Sequence, residues 1–214
     1  MRVIGVVHSK GGTGKSTIAV NLARGLQLQG RQVAIIDTDP QGTAANWRAS
    51  NKRGDDLPAV FGLTKAGALG RDVRRLQGAF DVVIIDGKAD LQAMHAAIIR
   101  AADLVLIPVQ PSPADVWPAE GIVELIKARR QVVGSPAAAF VVSRRKPGTN
   151  LGGAVEDVLS RFGLPVWAGT CDRVAYPQAI GQGLSVVEMN DPKAAAEVQA
   201  LIDNVTEALR NGQP

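Results

Sequence analysis

Apolar residues recur along the chain in short, nearly unbroken runs. Val3, Ile4, Val6 and Val7 dominate residues 2–8, and Val33, Ile35 and Ile36 dominate 32–37. Comparable runs fill 80–86, 103–109 and 137–143, with a shorter one at 165–168. Runs of four to eight apolar residues without alternation predict strands buried on both faces. Between them the spacing changes to the helical period. Ile18, Val20, Leu22, Ala23, Leu26 and Leu28 place one broad apolar face on a helix over 16–29, and Gly30 stands as its stop signal. Further helices are predicted over 69–76, 91–102, 114–133 (interrupted near Trp117 and Pro118), 150–162, 173–182 and 192–209. Residues 41–54 read as a polar stretch rich in Gly and Arg.

Strands apolar on both faces and alternating with helices predict an α/β fold: a mostly parallel, twisted sheet with helices on both sides. Right-handed crossovers then bring the C-terminal ends of the strands to one edge, where ligands bind. No repeat, low-complexity tract or linker interrupts the pattern, so residues 1–214 are expected to form a single domain.

Composition narrows the class. Of 214 residues, 46% are hydrophobic and 21% charged, which suits a globular core and argues against disorder. No apolar run approaches the roughly 18 residues of a membrane span, and a lysine and a glycine cluster arrive too early for a signal peptide. The single cysteine, Cys171, excludes an intramolecular disulfide and any all-cysteine metal site within one chain. A cytoplasmic setting is expected. The net charge is +4, and no acidic residue occurs between Glu124 and Glu156, a stretch that carries Lys127, Arg129, Arg130, Arg144, Arg145 and Lys146.

The most specific signal is Ser9-Lys10-Gly11-Gly12-Thr13-Gly14-Lys15-Ser16-Thr17, between the first predicted strand and the first predicted helix. That context is what a phosphate-binding loop requires. Glycines let the backbone turn its N–H groups onto phosphate oxygens, and the helix N-terminus adds partial positive charge. Lys15 is placed to neutralise the β- and γ-phosphates, and the Ser16 hydroxyl to coordinate Mg²⁺. The ordinary pattern needs Gly where Ser9 stands; here a second lysine, Lys10, precedes the Gly pair.

This deviant loop resembles that of the ParA/MinD family of ATPases. Asp37-Thr38-Asp39-Pro40-Gln41 resembles the family's second acidic motif, and Asp81 through Asp86-Gly87 its Walker B strand. Ile107-Pro108-Val109-Gln110-Pro111-Ser112 and Gly183-Leu184-Ser185-Val186 also fall at family positions, in order. Within the family the chain is most similar to short, plasmid-type ParA partition proteins, since the loop at residue 10 leaves no room for an N-terminal helix-turn-helix.

The resemblance implies roles. ATP and Mg²⁺ are the expected cofactors, held by Lys10, Gly11, Gly12, Thr13, Gly14, Lys15, Ser16 and Thr17. Lys10 is expected to reach the partner's ATP in a nucleotide-sandwich dimer, Asp39 to orient the attacking water, and Asp37 and Asp86 to support Mg²⁺ with Ser16 and Asp39. Lys10, Lys15 and Asp39 are thus the candidate catalytic residues. Arg144, Thr170 and Asp172 are the candidates for the adenine side. Lys88 departs from the small residue or proline usual after the Walker B Asp-Gly. Pairing with Asp90, contact with the nucleotide and slowed hydrolysis are all open to it.

The expected function is an ATP-dependent dimerising switch in the bacterial cytoplasm, nucleoid-associated, that positions plasmid or chromosomal DNA or another large cargo. Its expected partners are a second copy, non-specific DNA through Arg144, Arg145, Lys146 and Arg173, and a small centromere-binding or cargo-adaptor protein that stimulates slow hydrolysis. A solvated basic face is the plain alternative for those four residues. A membrane-associated MinD-like regulator would need a basic amphipathic C-terminal helix, whereas residues 193–210 carry Glu197, Asp203 and Glu207 and no aromatic. A metabolic synthetase with the same loop stays open. His8 and His95 lack metal-ligand spacing and read as packing or surface residues, as do Trp47, Trp117 and Trp167; Trp47 and Trp117 are also candidates for a dimer face.

Overall fold

The computed structural model describes residues 1–54, 56–89, 92–146 and 151–211. In these the chain alternates strand and helix: β1 (Arg2–Val6), α1 (Lys15–Leu28), β2 (Val33–Asp37), α2 (Thr43–Ala49), β3 (Ala59–Gly62), α3 (Ala66–Arg75), β4 (Val82–Asp86), α4 (Gln92–Ala101), β5 (Leu104–Val109), α5 (Pro113–Val116), α6 (Ala119–Val133), β6 (Ala137–Val142), α7 (Leu151–Ser160), β7 (Val166–Ala168), α8 (Ala175–Gly181) and α9 (Pro192–Asn211). The strands form one seven-stranded sheet in the order β3-β2-β4-β1-β5-β6-β7. Every pairing is parallel.

Alternation along each strand divides the core in two. Ile4, Val6, Ile35, Ile84 and Leu106 face one layer, with α1, α2, α8 and α9. Val3, Val7, Ala34, Ile36, Ile85 and Ile107 face the other, with α3 to α7. A sheet covered on both sides is why these strands read as continuous apolar runs.

Two elements depart from the sequence expectation. Within the polar stretch 41–54 lies α2, which buries only Ala44 and Trp47 of its seven residues. One apolar contact per turn on a helix this short leaves too weak a period to detect. The missed strand β3 is the edge strand. Its residues are half-buried or exposed, so it lacks the apolar run that marks the others. The break near Trp117 and Pro118 separates α5 from α6, as expected. Gly30 ends α1 with a φ of 86°, its N–H on Gln27 O and Arg31 N–H on Leu26 O, the left-handed ending that glycine permits. Leu91 and Asn150, where two helices were expected to start, lie outside the described residues, as does Asp90.

The apolar stripe of α9 (Ala194, Val198, Leu201, Ile202, Val205 and Ala208) is buried in the core beside α1. No helix among the described residues is long and apolar enough to cross a membrane.

Candidate nucleotide site

β1 lies between β4 and β5, where the chain's crossovers change direction across the sheet. In such sheets the crevice beyond the strand ends at this switch point takes the ligand. A cleft of about 640 Å³ opens there. Its floor is the loop after β1, contributing Gly11, Gly12, Gly14, Lys15, Ser16 and Thr17. Gly14 caps α1 at a φ of 90°, a left-handed conformation unfavourable to a residue with a Cβ. The loop is tied from two neighbouring strand ends. Gln110 Nε2 donates to Gly12 O at 2.6 Å, and Ser143 Oγ donates to Thr13 O at 2.7 Å. Thr13 itself is fully buried beneath the loop and does not line the cleft.

The two loop lysines diverge. Lys15 is buried in the floor, and its Nζ donates to Lys10 O at 2.9 Å. Burial lowers the pKa of its ammonium, while Asp86 and Asp39 hold it up. Lys10 does not line the cleft. Its Nζ lies 3.0 Å from Asp115 Oδ1 in α5. His8 braces this arrangement: Lys10 N–H donates to His8 Nδ1 and the other ring nitrogen, Nε2, faces Asp115 O, both at 2.9 Å. An acceptor Nδ1 makes Nε2–H the donor of a neutral ring. Burial, ahead of any charge, pushes the His8 pKa down to about 4.

Two aspartates reach the opposite wall, Asp86 at the end of β4 and Asp39 in the turn after β2, with Asp37 behind them. Asp86 is buried, and neither carboxylate oxygen has a hydrogen-bond partner among the described residues. Burial raises its pKa to about 7; the Ser16 side chain and Lys15 oppose the rise, and Asp37 and Asp39 add to it. Gly87, which follows, lies so close to β1 that a Cβ there would sit 2.7 Å from Val6 O. Asp39 lines the cleft, and its Oδ1 accepts Gln41 N–H at 3.0 Å. Asp37 is placed differently. Its Oδ1 accepts Asp39 N–H at 3.0 Å and its Oδ2 accepts Ala44 N–H at 2.9 Å, so its carboxylate holds the turn and the start of α2. It does not line the cleft, and burial raises its pKa.

The far wall comes from the ends of β6 and β7 and the start of α8. Arg144, Thr170, Asp172 and Arg173 all line it. Arg144 has a φ of 52°, its N–H donates to Thr170 Oγ1 at 3.1 Å, and its guanidinium lies 3.7 Å from Asp172. Arg173, expected among the DNA contacts, is instead bonded to Glu197 of α9 through Nε (2.9 Å) and Nη2 (2.7 Å). Arg145 is half-buried, with an Nε that has no partner among the described residues, and Lys146 is exposed. Of the four basic candidates, Arg144 and Arg173 line the cleft and Arg145 and Lys146 do not.

Two contacts at the site were not read from the sequence. Asp115 sits in a four-residue helix without a period. Glu197 was legible in principle, as an acid on the apolar stripe of α9, three residues after Ala194 and four before Leu201. Of the tryptophans, Trp47 is a core residue, its indole N–H donating to Leu184 O at 3.0 Å, whereas Trp117 is 73% exposed. The side chain of Lys88 does not line the cleft.

The profile of the CobQ/CobB/MinD/ParA nucleotide-binding domain matches residues 4–186, from β1 to the turn after α8. The chain belongs to this family. Among its relatives is the maintenance of carboxysome distribution protein A of Gloeobacter kilaueensis, 33% identical over 214 residues, covering 97% of this chain and 94% of that protein. The protein of the same name from Halothiobacillus neapolitanus is 29% identical over 208 residues, covering 94% and 95%. The solved structure of a Cyanothece McdA variant in complex with ATP superposes with a TM-score of 0.75 at 21% identity, covering 98% of this chain and 96% of that one. The family stands as expected from the loop sequence, and the parallel α/β sheet as expected from the apolar runs, with β3 as an added strand. The two relatives' names concern carboxysome distribution, whereas the sequence expectation leaned toward plasmid partition.

Proposed function

We propose that this protein is an ATP-driven positioning ATPase whose ATP-bound form is a dimer. The observation that carries this reading is the divergence of the two loop lysines. Lys15 serves the cleft of its own chain, and Lys10 stands outside it, bonded to Asp115. A cation outside its own site can complete another once it leaves Asp115, so two chains facing each other supply two lysines to each triphosphate.

The residues fit Mg²⁺ and ATP. Asp86 offers two buried, unpartnered hard oxygens on the cleft beside Ser16, the chemistry a divalent cation needs. When bound, Mg²⁺ neutralises charge on the phosphates. The loop N–H groups and the start of α1 cradle the phosphates, with Lys15 against them. Asp39 orients the attacking water, held to its turn by Asp37. The partner's Lys10 adds a second cation at the developing charge, the kind of preorganised stabilisation that dominates phosphoryl transfer. Thr170, Asp172 and Arg144 flank the base.

The cargo is large and reached through an adaptor protein that stimulates hydrolysis; the relatives' names favour a carboxysome over a plasmid. The ATP dimer binds nucleoid DNA non-specifically, with Arg145 and Lys146 as the candidate phosphate contacts. A MinD-like membrane anchor in α9 is disfavoured, since its apolar stripe is already in the core.

Size-exclusion chromatography with light scattering tests the reading, using ADP and then a slowly hydrolysed ATP analogue, each with and without DNA. A monomer with ADP, a dimer with the analogue and a salt-sensitive DNA complex of the dimer are expected. A monomer under all conditions would sink it. Lys15→Ala should bind ATP roughly 10- to 100-fold more weakly, the loss of one charged hydrogen-bonding partner.

A further inference from the structure

Thr38 separates Asp37 from Asp39 and is 1% exposed. Its hydroxyl donates to Asp86 O at 2.9 Å and accepts Lys88 N–H at 2.8 Å. Its own N–H also donates to Asp86 O, at 3.1 Å. Beyond it, the buried His95 of α4 brings Nε2 to 2.9 Å from Lys88 O. The residues on either side of Lys88 in this strip, Gly87 and Ala89, line the cleft.

These bonds join two segments from different strands. One carries Asp39 and the other carries Asp86, and both aspartates reach the cleft. A hydroxyl can give a proton to a carbonyl and take one from an amide at once. Valine has nearly the same shape and would fill the space, but it would leave Lys88 N–H without its acceptor. The turn holding Asp39 is therefore joined to the 86–88 segment by the Thr38 hydroxyl, in addition to the backbone bond from Thr38 N–H to Asp86 O.

We propose that the Thr38 hydroxyl is a positioning group that makes the Asp39 turn and the Asp86–Lys88 segment move as one element when nucleotide binds. Thr38 touches no phosphate; it acts through the two aspartates. The inference rests on the ATPase reading above and adds to it the residue that couples the two carboxylates.

The test compares Thr38→Val with Thr38→Ser, by amide exchange at Lys88 in nucleotide-free protein and by ATP binding and turnover. Thr38→Val should speed Lys88 exchange about tenfold or more and slow turnover about tenfold, with ATP affinity changed no more than about twofold, as expected for one lost hydrogen bond acting on positioning. Thr38→Ser, which keeps the oxygen, should restore both. Wild-type exchange and turnover in Thr38→Val would overturn the proposal, as would Thr38→Ser behaving like valine, which would assign the effect to the methyl group. Should Thr38→Val fail to fold, Thr38→Ala removes the hydroxyl without added bulk and is judged by the same two outcomes. Absence of ATP binding by the wild type would defeat the ATPase reading alone, because Lys88 exchange still decides the strut.

Discussion

Lys10 and Asp115 form an ion pair of 3.0 Å between the phosphate loop and α5, with the carboxylate almost wholly buried and the ammonium partly in water. The Lys10 carbonyl meanwhile accepts from Lys15 Nζ. One residue therefore links the outer cation to the inner one, and in the single chain Asp115 holds the outer one back. Asp115→Asn keeps the shape and removes the charge. A pair with one partly exposed partner contributes about 1 kcal/mol, so the ATP-dependent dimer should form at roughly fivefold lower concentration per released lysine. Lys10→Ala should retain ATP binding by the monomer yet form no dimer. Sedimentation at several concentrations distinguishes these; unchanged dimerisation in Asp115→Asn would remove the restraining role.

Asp86 should cost stability and be needed for function. Its ordinary value is 3.8, and burial raises it to about 7 in the folded chain. Between those values the folded protein holds a proton that the unfolded chain releases, so stability falls as pH rises through this window and the penalty is complete above about 7. Asp86→Asn should therefore be more stable than wild type at pH 8, by roughly 2–4 kcal/mol, with the difference vanishing toward pH 4. The same variant should lose the stabilisation that Mg²⁺ with ATP gives the wild type. Calorimetry at pH 5 and pH 8, with and without Mg²⁺ and ATP, reads both effects. A variant no more stable than wild type at pH 8 would contradict the net cost of burying this carboxylate.

What could be read from sequence followed from what is local. The strands were legible because burial on both faces makes Val82–Asp86 or Leu104–Val109 continuously apolar. The loop was legible because its function depends on consecutive residues. The edge strand β3 and the short α2 escaped because each buries too few residues to set a period. At the site, residues of the loop, Asp39 and Asp86 line one cleft. The restraint of Lys10 by Asp115, the strut at Thr38 and the engagement of Arg173 by Glu197 were invisible, because each is a contact between side chains or carbonyls far apart in the chain. Asp37 shows the remaining limit: sequence placed it at the strand end, and only the hydrogen bonds to Asp39 and Ala44 show that its carboxylate supports the turn.

His8 makes acid stability a test of the loop's bracing. Its imidazole falls from 6.5 to about 4, chiefly through burial. The unfolded chain thus takes up a proton between these values that the folded chain refuses. The stability this residue contributes is complete above about 6.5 and is lost as pH falls toward 4. The loss approaches about 3 kcal/mol at most. His8→Asn can still accept from Lys10 N–H at the Nδ1 position, is too short to reach Asp115 O, and does not titrate. Its melting temperature should decline less than that of wild type between pH 7 and pH 4, in thermal scans without nucleotide. Parallel curves for the two proteins would show that His8 does not set the acid limit.

Glu197 fixes the far wall of the cleft from behind. Its Oε1 takes both bonds from Arg173, and its Oε2 accepts the Tyr176 hydroxyl at 2.8 Å and Cys171 N–H at 2.9 Å. Burial works to raise its pKa, and the bonds from Arg173, Cys171 and Tyr176 bring it below the ordinary value; burial and the same carboxylate raise the Tyr176 phenol. Four donors converge on a single carboxylate, and Cys171, Arg173 and Tyr176 all line the cleft. Glu197→Ala removes every acceptor at once. It should cost about 2–4 kcal/mol of stability through the buried donors left unpaired, while Glu197→Gln should cost less because it keeps one oxygen. In the proposed reading this wall is the base side of the cleft. Glu197→Ala should therefore weaken ATP by about tenfold and leave inorganic tripolyphosphate, which has no base, nearly unchanged. Isothermal titration with the two ligands makes the comparison. Equal weakening of both would mean that Glu197 supports the whole cleft rather than its base side.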